Sequence, residues 1–165
     1  MTTTPKLTIR VYRDEDHDQV VRLNAYGLAA AGVPVDVDVY AGDLDTITTT
    51  YLTGRATMLI GELDGKVVAM GALRYVDDLT CEITRMRVDS NAQGRGYGKQ
   101  ILTALEEQAQ RLGYHHAVLL TGPDQHPAID LYQANGYTIA AVENHGDVAG
   151  VRMRKQFDVN HGVPS

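Results

Sequence analysis

The chain has 165 residues, 44% of them apolar and 22% charged, which is about one domain with the balance of a globular protein rather than a fibre or a disordered tail. Fifteen Lys and Arg against 21 Asp and Glu leave a formal charge of −6, which speaks against nucleic acid as partner, because a phosphate backbone needs a basic face. One cysteine (Cys81) excludes a disulfide framework, no apolar run reaches the ~18 residues that cross a bilayer, and the first residues lack the apolar stretch of a secretory signal, so a cytoplasmic protein without a membrane span is expected.

Residues 6–12 alternate apolar and polar and predict a strand. Asp14 can cap a following helix whose apolar face is built from Val20, Val21, Leu23 and Leu28, and Gly32 and Pro34 end it. A weaker helical pattern runs over 38–52, diluted by Thr48, Thr49 and Thr50. Residues 56–63 and 66–75 then read as a hairpin turning at Asp64-Gly65, and 81–88 as a third antiparallel strand. Beyond a glycine-rich bridge, Ile101, Leu102, Leu105, Ala109 and Leu112 recur at helical spacing up to Gly113. A short buried strand over 116–120 follows, then a turn at Gly122-Pro123. A helix opens near Pro127 and ends near Asn135-Gly136, and a last strand pair covers 137–142 and 148–157. The order is β-α-α-β-β-β-α-β-α-β-β, an α+β (mixed α/β) arrangement in one domain over 1–157 with a tail over 158–165.

The stretch between the third strand and the long helix is the most informative. Gly94, Gly96 and Gly98 alternate just before the helix, where small residues let a ligand approach the backbone and the helix N-terminus offers unpaired donors. Arg95 and Lys99 add cations, and the arrangement suits a phosphate or pyrophosphate. It is not a Walker loop: Gln93 stands where the first glycine belongs, and Gln100 replaces the magnesium-binding Ser or Thr. Nor is it a dinucleotide fingerprint, because the last glycine spacing is wrong and no acidic residue lies near Val118, about 20 residues on.

Arg85-Met-Arg-Val88 with Gln93-Gly-Arg-Gly-Tyr-Gly98 resembles the acetyl-CoA motif of the GNAT N-acetyltransferase superfamily, and Ala128-Ile-Asp-Leu-Tyr-Gln-Ala-Asn-Gly-Tyr137 resembles that family's second motif. The two occur in the right order, with one helix and one strand between them. The resemblance is tight over 55–157 and looser over 1–54. It implies a central, mostly antiparallel sheet flanked by helices, with acetyl-CoA as co-substrate. By this resemblance the backbone of Met86, Arg87 and Val88 pairs with the pantetheine arm. The amides of Gly94, Arg95, Gly96, Tyr97, Gly98 and Lys99 hold the pyrophosphate. A backbone N–H at Met86 or Arg87 polarises the thioester oxygen. The family often places an asparagine near the start of the second-motif helix; Gln125 occupies that place here.

Acyl transfer to nitrogen sets the remaining requirements. An alkylamine has a pKa near about 10.4 and arrives protonated, so a base must take a proton and the leaving thiolate needs a donor. Glu82, six residues before Val88, is the expected base, directly or through water, by resemblance to a subgroup of the family that carries its catalytic Glu at this spacing; by simple alternation it shares a face with Thr84, Met86 and Val88. The alternative is a solvated carboxylate paired with a neighbouring Lys or Arg. Tyr132, in the Leu-Tyr position of the second motif, is the expected acid by resemblance, against a plain core aromatic. Cys81 reads as core and not as a nucleophile. No group of histidines has metal-ligand spacing, so no metal is expected.

The resemblance implies a small-molecule or peptide amine as acceptor, with a free amino acid, polyamine, aminoglycoside, peptide N-terminus and protein lysine all open. Asp36, Asp38, Asp43 and Asp45 cluster in a stretch without Lys or Arg, which would favour a cationic acceptor if they line the cleft; ordinary solvated caps and turns are the equal alternative. Strand-mediated homodimers are frequent in the family. Two further readings compete with the enzyme: a non-catalytic acyl-CoA sensor of the same fold, disfavoured by the presence of both Glu82 and Tyr132, and a nucleotide-binding module, disfavoured by the loop spacing.

Overall fold

The computed structural model describes residues 6–30, 51–52, 54–122, 126–145 and 148–157. The expected helix over 38–52, the acidic cluster between Asp36 and Asp45, and Gln125 lie almost wholly or wholly outside them. Strand β1 (Thr8–Val11) leads through a 3-10 turn (Asp14–Asp16) into α1 (His17–Ala30). Three consecutive strands follow: β2 (Thr57–Leu63), β3 (Lys66–Asp77) and β4 (Thr80–Val88). Then come a 3-10 turn (Ser90–Ala92), α2 (Tyr97–Arg111), β5 (His116–Thr121), α3 (His126–Ala134), β6 (Thr138–His145) and β7 (Val148–Gln156).

The seven strands form one sheet in the order β1-β2-β3-β4-β5-β7-β6. Every neighbouring pair is antiparallel except β4 and β5, which run parallel, and a parallel pair cannot be joined by a tight turn. The crossover between them is α2, and this parallel step puts the glycine-rich bridge at the carboxyl end of β4. The β2–β3 hairpin turns at Asp64 (φ 51°) and Gly65 (φ 81°), the paired left-handed residues that an Asp-Gly turn supplies.

Two apolar clusters cover the sheet. One gathers Leu73, Cys81, Ile83, Ile101, Leu105, Tyr132 and Met153 beneath α2 and α3; the other joins Val20 and Leu23 of α1 to Met58, Ile60 and Met70. Beside the second, Arg10 donates a fork to Asp16 at 2.7 and 2.8 Å and reaches Glu62 at 2.9 Å, fixing the start of α1 to β1 and β2. Among the described residues no helix is long and apolar enough to cross a membrane.

Candidate active site

β4 carries most of the site, and its local irregularity decides which side chain goes where. The β3–β4 register shifts between Thr84 opposite Ala72 and Arg87 opposite Met70, so Arg85 and Met86 together oppose the single Gly71. Arg85 takes φ 58°, a left-handed conformation uncommon for a residue with a side chain, and its guanidinium donates to Asn24 Oδ1 of α1 at 3.1 Å. The extra residue reverses the alternation. Cys81 and Ile83 before the bulge, and Met86 and Val88 after it, all pack with the α2 cluster. Glu82 and Thr84 therefore face the opposite side from Met86 and Val88. The expectation of a shared face fails because the bulge inserts one residue between them.

Hydrogen bonding explains why this strand can receive a ligand. β4 pairs with β5 only from Thr80↔His116 to Ile83↔Leu119, whereas β5 continues along β7 to Thr121. Among the described residues no strand lies beside the β5-facing edge of β4 from residue 84 onward, so the backbone groups of Met86, Arg87 and Val88 are left for a ligand to pair with. An extended chain bearing amides can pair with such an edge as an added strand would.

The glycine loop ends at the same place. Asp89 N donates to Val68 O at 2.8 Å, and Asp89 Oδ1 accepts from Asn91 N at 2.9 Å, which pins the turn after β4. Gly96 stands at the N-cap of α2 with φ 82° and gives no side-chain cap. A β-carbon at Gly94 or Gly96 would meet nothing within 4 Å, so the space over the loop is open, but their positive φ angles favour glycine. The first turn of α2, with Gly98 and Lys99, thus presents amides and a positive dipole end toward that space. Gly98 lies where a β-carbon would sit 3.4 Å from Leu131 Cδ2 and 3.6 Å from Val88 Cγ2, which brings the start of α2, the end of β4 and α3 together. Loop and strand edge together fit a long ligand with an amide arm and a phosphate group.

Tyr132 is held at this junction from both sides. Its carbonyl accepts from Asn135 N and Tyr137 N at 3.0 Å each, closing α3. Its ring meets Tyr137 edge-on at 5.8 Å, and the Tyr137 hydroxyl donates to Glu106 of α2 at 2.8 Å. The Tyr132 side chain is buried, and burial pushes its hydroxyl up to about 12, with the charge of Arg87 pulling the other way.

Glu82 is placed differently from a lone base. It pairs with Arg74 of β3 on one oxygen and with Arg152 of β7 on the other at 3.2 Å; Arg152 in turn binds Glu143 of β6 at 2.9 Å. This ladder Arg74–Glu82–Arg152–Glu143 crosses the face that carries α1. Cys81 is fully buried and its thiol is pushed by burial up to about 12, which suits a core residue and not a thiolate nucleophile. Among the described residues no group of three or more His, Cys, Asp or Glu could hold a metal ion.

Sequence reasoning missed the Arg85 bulge and the state of the Arg87 side chain. Among the described residues Arg87 Nε is buried without a hydrogen-bond partner, and Nη1 donates to Met86 O at 2.8 Å. Nothing in the residue type marks a buried arginine in advance; the one local hint is its place two residues from Arg85 in a strand otherwise headed for a ligand.

Comparison with known proteins agrees with this geometry. The Streptococcus agalactiae acetyltransferase superposes with a TM-score of 0.83 at 17% identity, covering 92% of this chain and 98% of that one. The Salmonella typhimurium protein yncA, solved with its cofactor acetyl-CoA, superposes with a TM-score of 0.71 at 24% identity, covering 97% and 98%. Among curated proteins, N-acetyltransferase family 8 member 2 of Rattus norvegicus is 32% identical over 100 residues, 58% of this chain and 44% of the relative. The chain spans less than half the length of the first curated relatives it matches. A family model described as the acetyltransferase (GNAT) family matches residues 35–137, more than half of the sequence, and takes in the open β4 edge, the glycine loop and Tyr132 alike. The chain belongs to the GNAT acetyltransferase family.

Proposed function

We propose that this chain is an N-acetyltransferase domain that moves an acetyl group from acetyl-CoA to a primary amine, the amine attacking directly while both substrates are bound. The observation that carries this reading is the edge of β4 beyond Ile83, unpaired by β5, which leads through a short 3-10 turn into the glycine-rich start of α2, where no side chain caps the helix. The backbone of Met86, Arg87 and Val88 would pair with the pantetheine arm, and the loop from Gly94 to Lys99 would hold the pyrophosphate. Bound acetyl-CoA supplies an activated acyl group on a thiol leaving group.

The chain's own residues supply proton handling and orientation. Tyr132 keeps its proton through the neutral range, because its hydroxyl lies up near about 12. An ordinary thiol sits near about 8.5, so such a phenol is a weaker acid than the thiol it faces and acts chiefly as a hydrogen-bond donor to the developing thiolate. Glu82 has each oxygen engaged by one arginine, and a carboxylate offers about four lone-pair sites, so it can still accept a proton relayed by water. A backbone N–H of the Met86–Arg87 segment polarises the carbonyl as charge builds on it.

The test is thiol release from acetyl-CoA by the purified protein over a panel of amino acids, polyamines, aminoglycosides and peptides. Amine-dependent release is expected. Acetyl-CoA binding with no release from any member would instead favour a non-catalytic acyl-CoA sensor of the same fold.

A further inference from the structure

The end of α3 ties Tyr132 to a second buried tyrosine. Tyr137 N donates to Tyr132 O at 3.0 Å and Gly136 N to Gln133 O at 3.2 Å, with Gly136 at φ 96°, so the helix closes in a glycine turn that sets residues 132 and 137 side by side. An apolar contact between those two positions commonly accompanies such a turn. Here it is the edge-on meeting of the two rings at 5.8 Å and 63°. Packing alone would ask no more of Tyr137 than an apolar ring. Its hydroxyl nevertheless donates to Glu106 Oε2 at 2.8 Å, and Glu106 Oε1 accepts from Lys155 Nζ at 2.8 Å. Lys155 Nζ also lies 5.7 Å from the centre of the Tyr137 ring. One ring is thus fixed from α2 and from β7 at once. A largely buried carboxylate and ammonium seldom add stability over apolar side chains of their size, because desolvation offsets their attraction. What they do add is direction: a hydroxyl bonded to a charged acceptor holds the ring to the orientation that keeps the bond. Glu106 belongs to α2, whose first turn faces the proposed pyrophosphate site, so the ring is referred to the same rigid helix as the co-substrate.

We propose that Tyr137, anchored through Glu106 and Lys155, is a positioning residue that holds the Tyr132 phenol at the leaving thiol. This rests on the transferase reading and on the role given there to Tyr132. Tyr137 touches neither substrate; it acts by denying the Tyr132 ring the freedom to tilt away from the developing thiolate. A small misplacement of a hydrogen-bond donor is enough to lose most of its effect on the transition state.

The test measures kcat and KM in Tyr137→Phe, in Tyr132→Phe and in the double variant, with an amine that gives thiol release. Tyr137→Phe keeps the ring and loses its anchor, and is expected to lower kcat about threefold to tenfold while KM for both substrates stays within about twofold. In the Tyr132→Phe background the same change is expected to lower kcat no further, because no phenol is left to align. Tyr114→Phe is the matched control. Tyr114 takes the same place in the turn that ends α2, with its N–H on Ala109 O at 3.0 Å and its hydroxyl on Arg55 O at 2.6 Å. That variant is expected to lose melting temperature and keep kcat. An equal factor lost in both backgrounds, a wild-type kcat in Tyr137→Phe, or an equal loss in Tyr114→Phe overturns the proposal and leaves the transferase standing. Full turnover by Tyr132→Phe overturns it as well. Should no amine give thiol release, the transferase reading falls and tyrosine-ring NMR decides the clamp. A sharp Tyr132 signal, assigned by its loss in Tyr132→Phe, that broadens or splits in Tyr137→Phe upholds it, and an equally sharp signal in both overturns it.

Discussion

Burial decides what Tyr132 can do with its proton. A hydroxyl up near about 12 stays protonated through and well above the neutral range, so Tyr132 gives no alkaline limb to the rate below about pH 10. Tyr132→Phe should lower kcat by about 10–100-fold, the worth of one strong hydrogen bond to developing charge, and leave acetyl-CoA affinity unchanged. Equal turnover by the variant, measured as steady-state thiol release, would remove the phenol from the chemistry. Glu82 faces a sharper alternative, since its two arginine partners would hold it in place without any catalytic role. As a base, Glu82→Gln lowers kcat by more than any loss of stability explains; as a strut alone, the variant keeps kcat and loses only thermal stability. Asp16 is purely structural. The fork from Arg10, with the Arg13 amide at 2.8 Å, holds its carboxyl below the ordinary value against the opposing effect of burial. A folded-state pKa below the unfolded one gives stability that is complete above about pH 4 and is lost as pH falls through the folded value. Asp16→Asn should cost about 2–4 kcal/mol in urea unfolding at pH 7, with the gap to wild type closing below about pH 4. A gap that stays constant down to pH 3 would contradict this.

At the level of elements, β4 is organised around one exchange: two residues on its own strand face a single glycine on β3. A β-carbon at Gly71 would lie 2.6 Å from Met86 Sδ, 2.7 Å from Ile101 Cγ2 and 2.8 Å from Leu105 Cδ1, three side chains that cannot all retreat inside a filled core. Gly71→Ala should therefore destabilise the protein by about 1–3 kcal/mol and displace the Met86 segment, read as a lower urea midpoint together with weaker acetyl-CoA binding. A fully stable variant with unchanged binding would show that the bulge tolerates repacking. The sequence made much of this region legible. Asp64-Gly65 announced its turn through residues that accept positive φ, and the alternating Gly94, Gly96 and Gly98 announced an open loop before a helix. The bulge stayed hidden because Arg85 adopts a conformation that its residue type disfavours, and strict alternation carries no sign of an inserted residue. Simple alternation consequently puts Glu82 on the face of Met86 and Val88, opposite to its place in the fold, and its two arginine partners, on β3 and on β7, are neighbours only through the sheet order.

For the whole molecule, the order of elements could be read because the described segments carry clear local signals: alternation in β1 and the first half of β4, apolar runs bounded by turn residues in β2 and β3, and helical spacing in α2. What no local pattern could give is that β5 lies parallel to β4 and leaves it after Ile83, since strand pairing over a long crossover depends on the complete sheet. That divergence, and not any one side chain, leaves the end of β4 without β5 beside it. The account stands or falls on acetyl-CoA lying along it. Hydrogen–deuterium exchange of the full chain with and without acetyl-CoA measures this directly, amide by amide. Protection is expected at 86–88 and 94–99, with little change in β1, β2 and β6. Protection confined to other segments, or none at saturating acetyl-CoA, would contradict the proposed site.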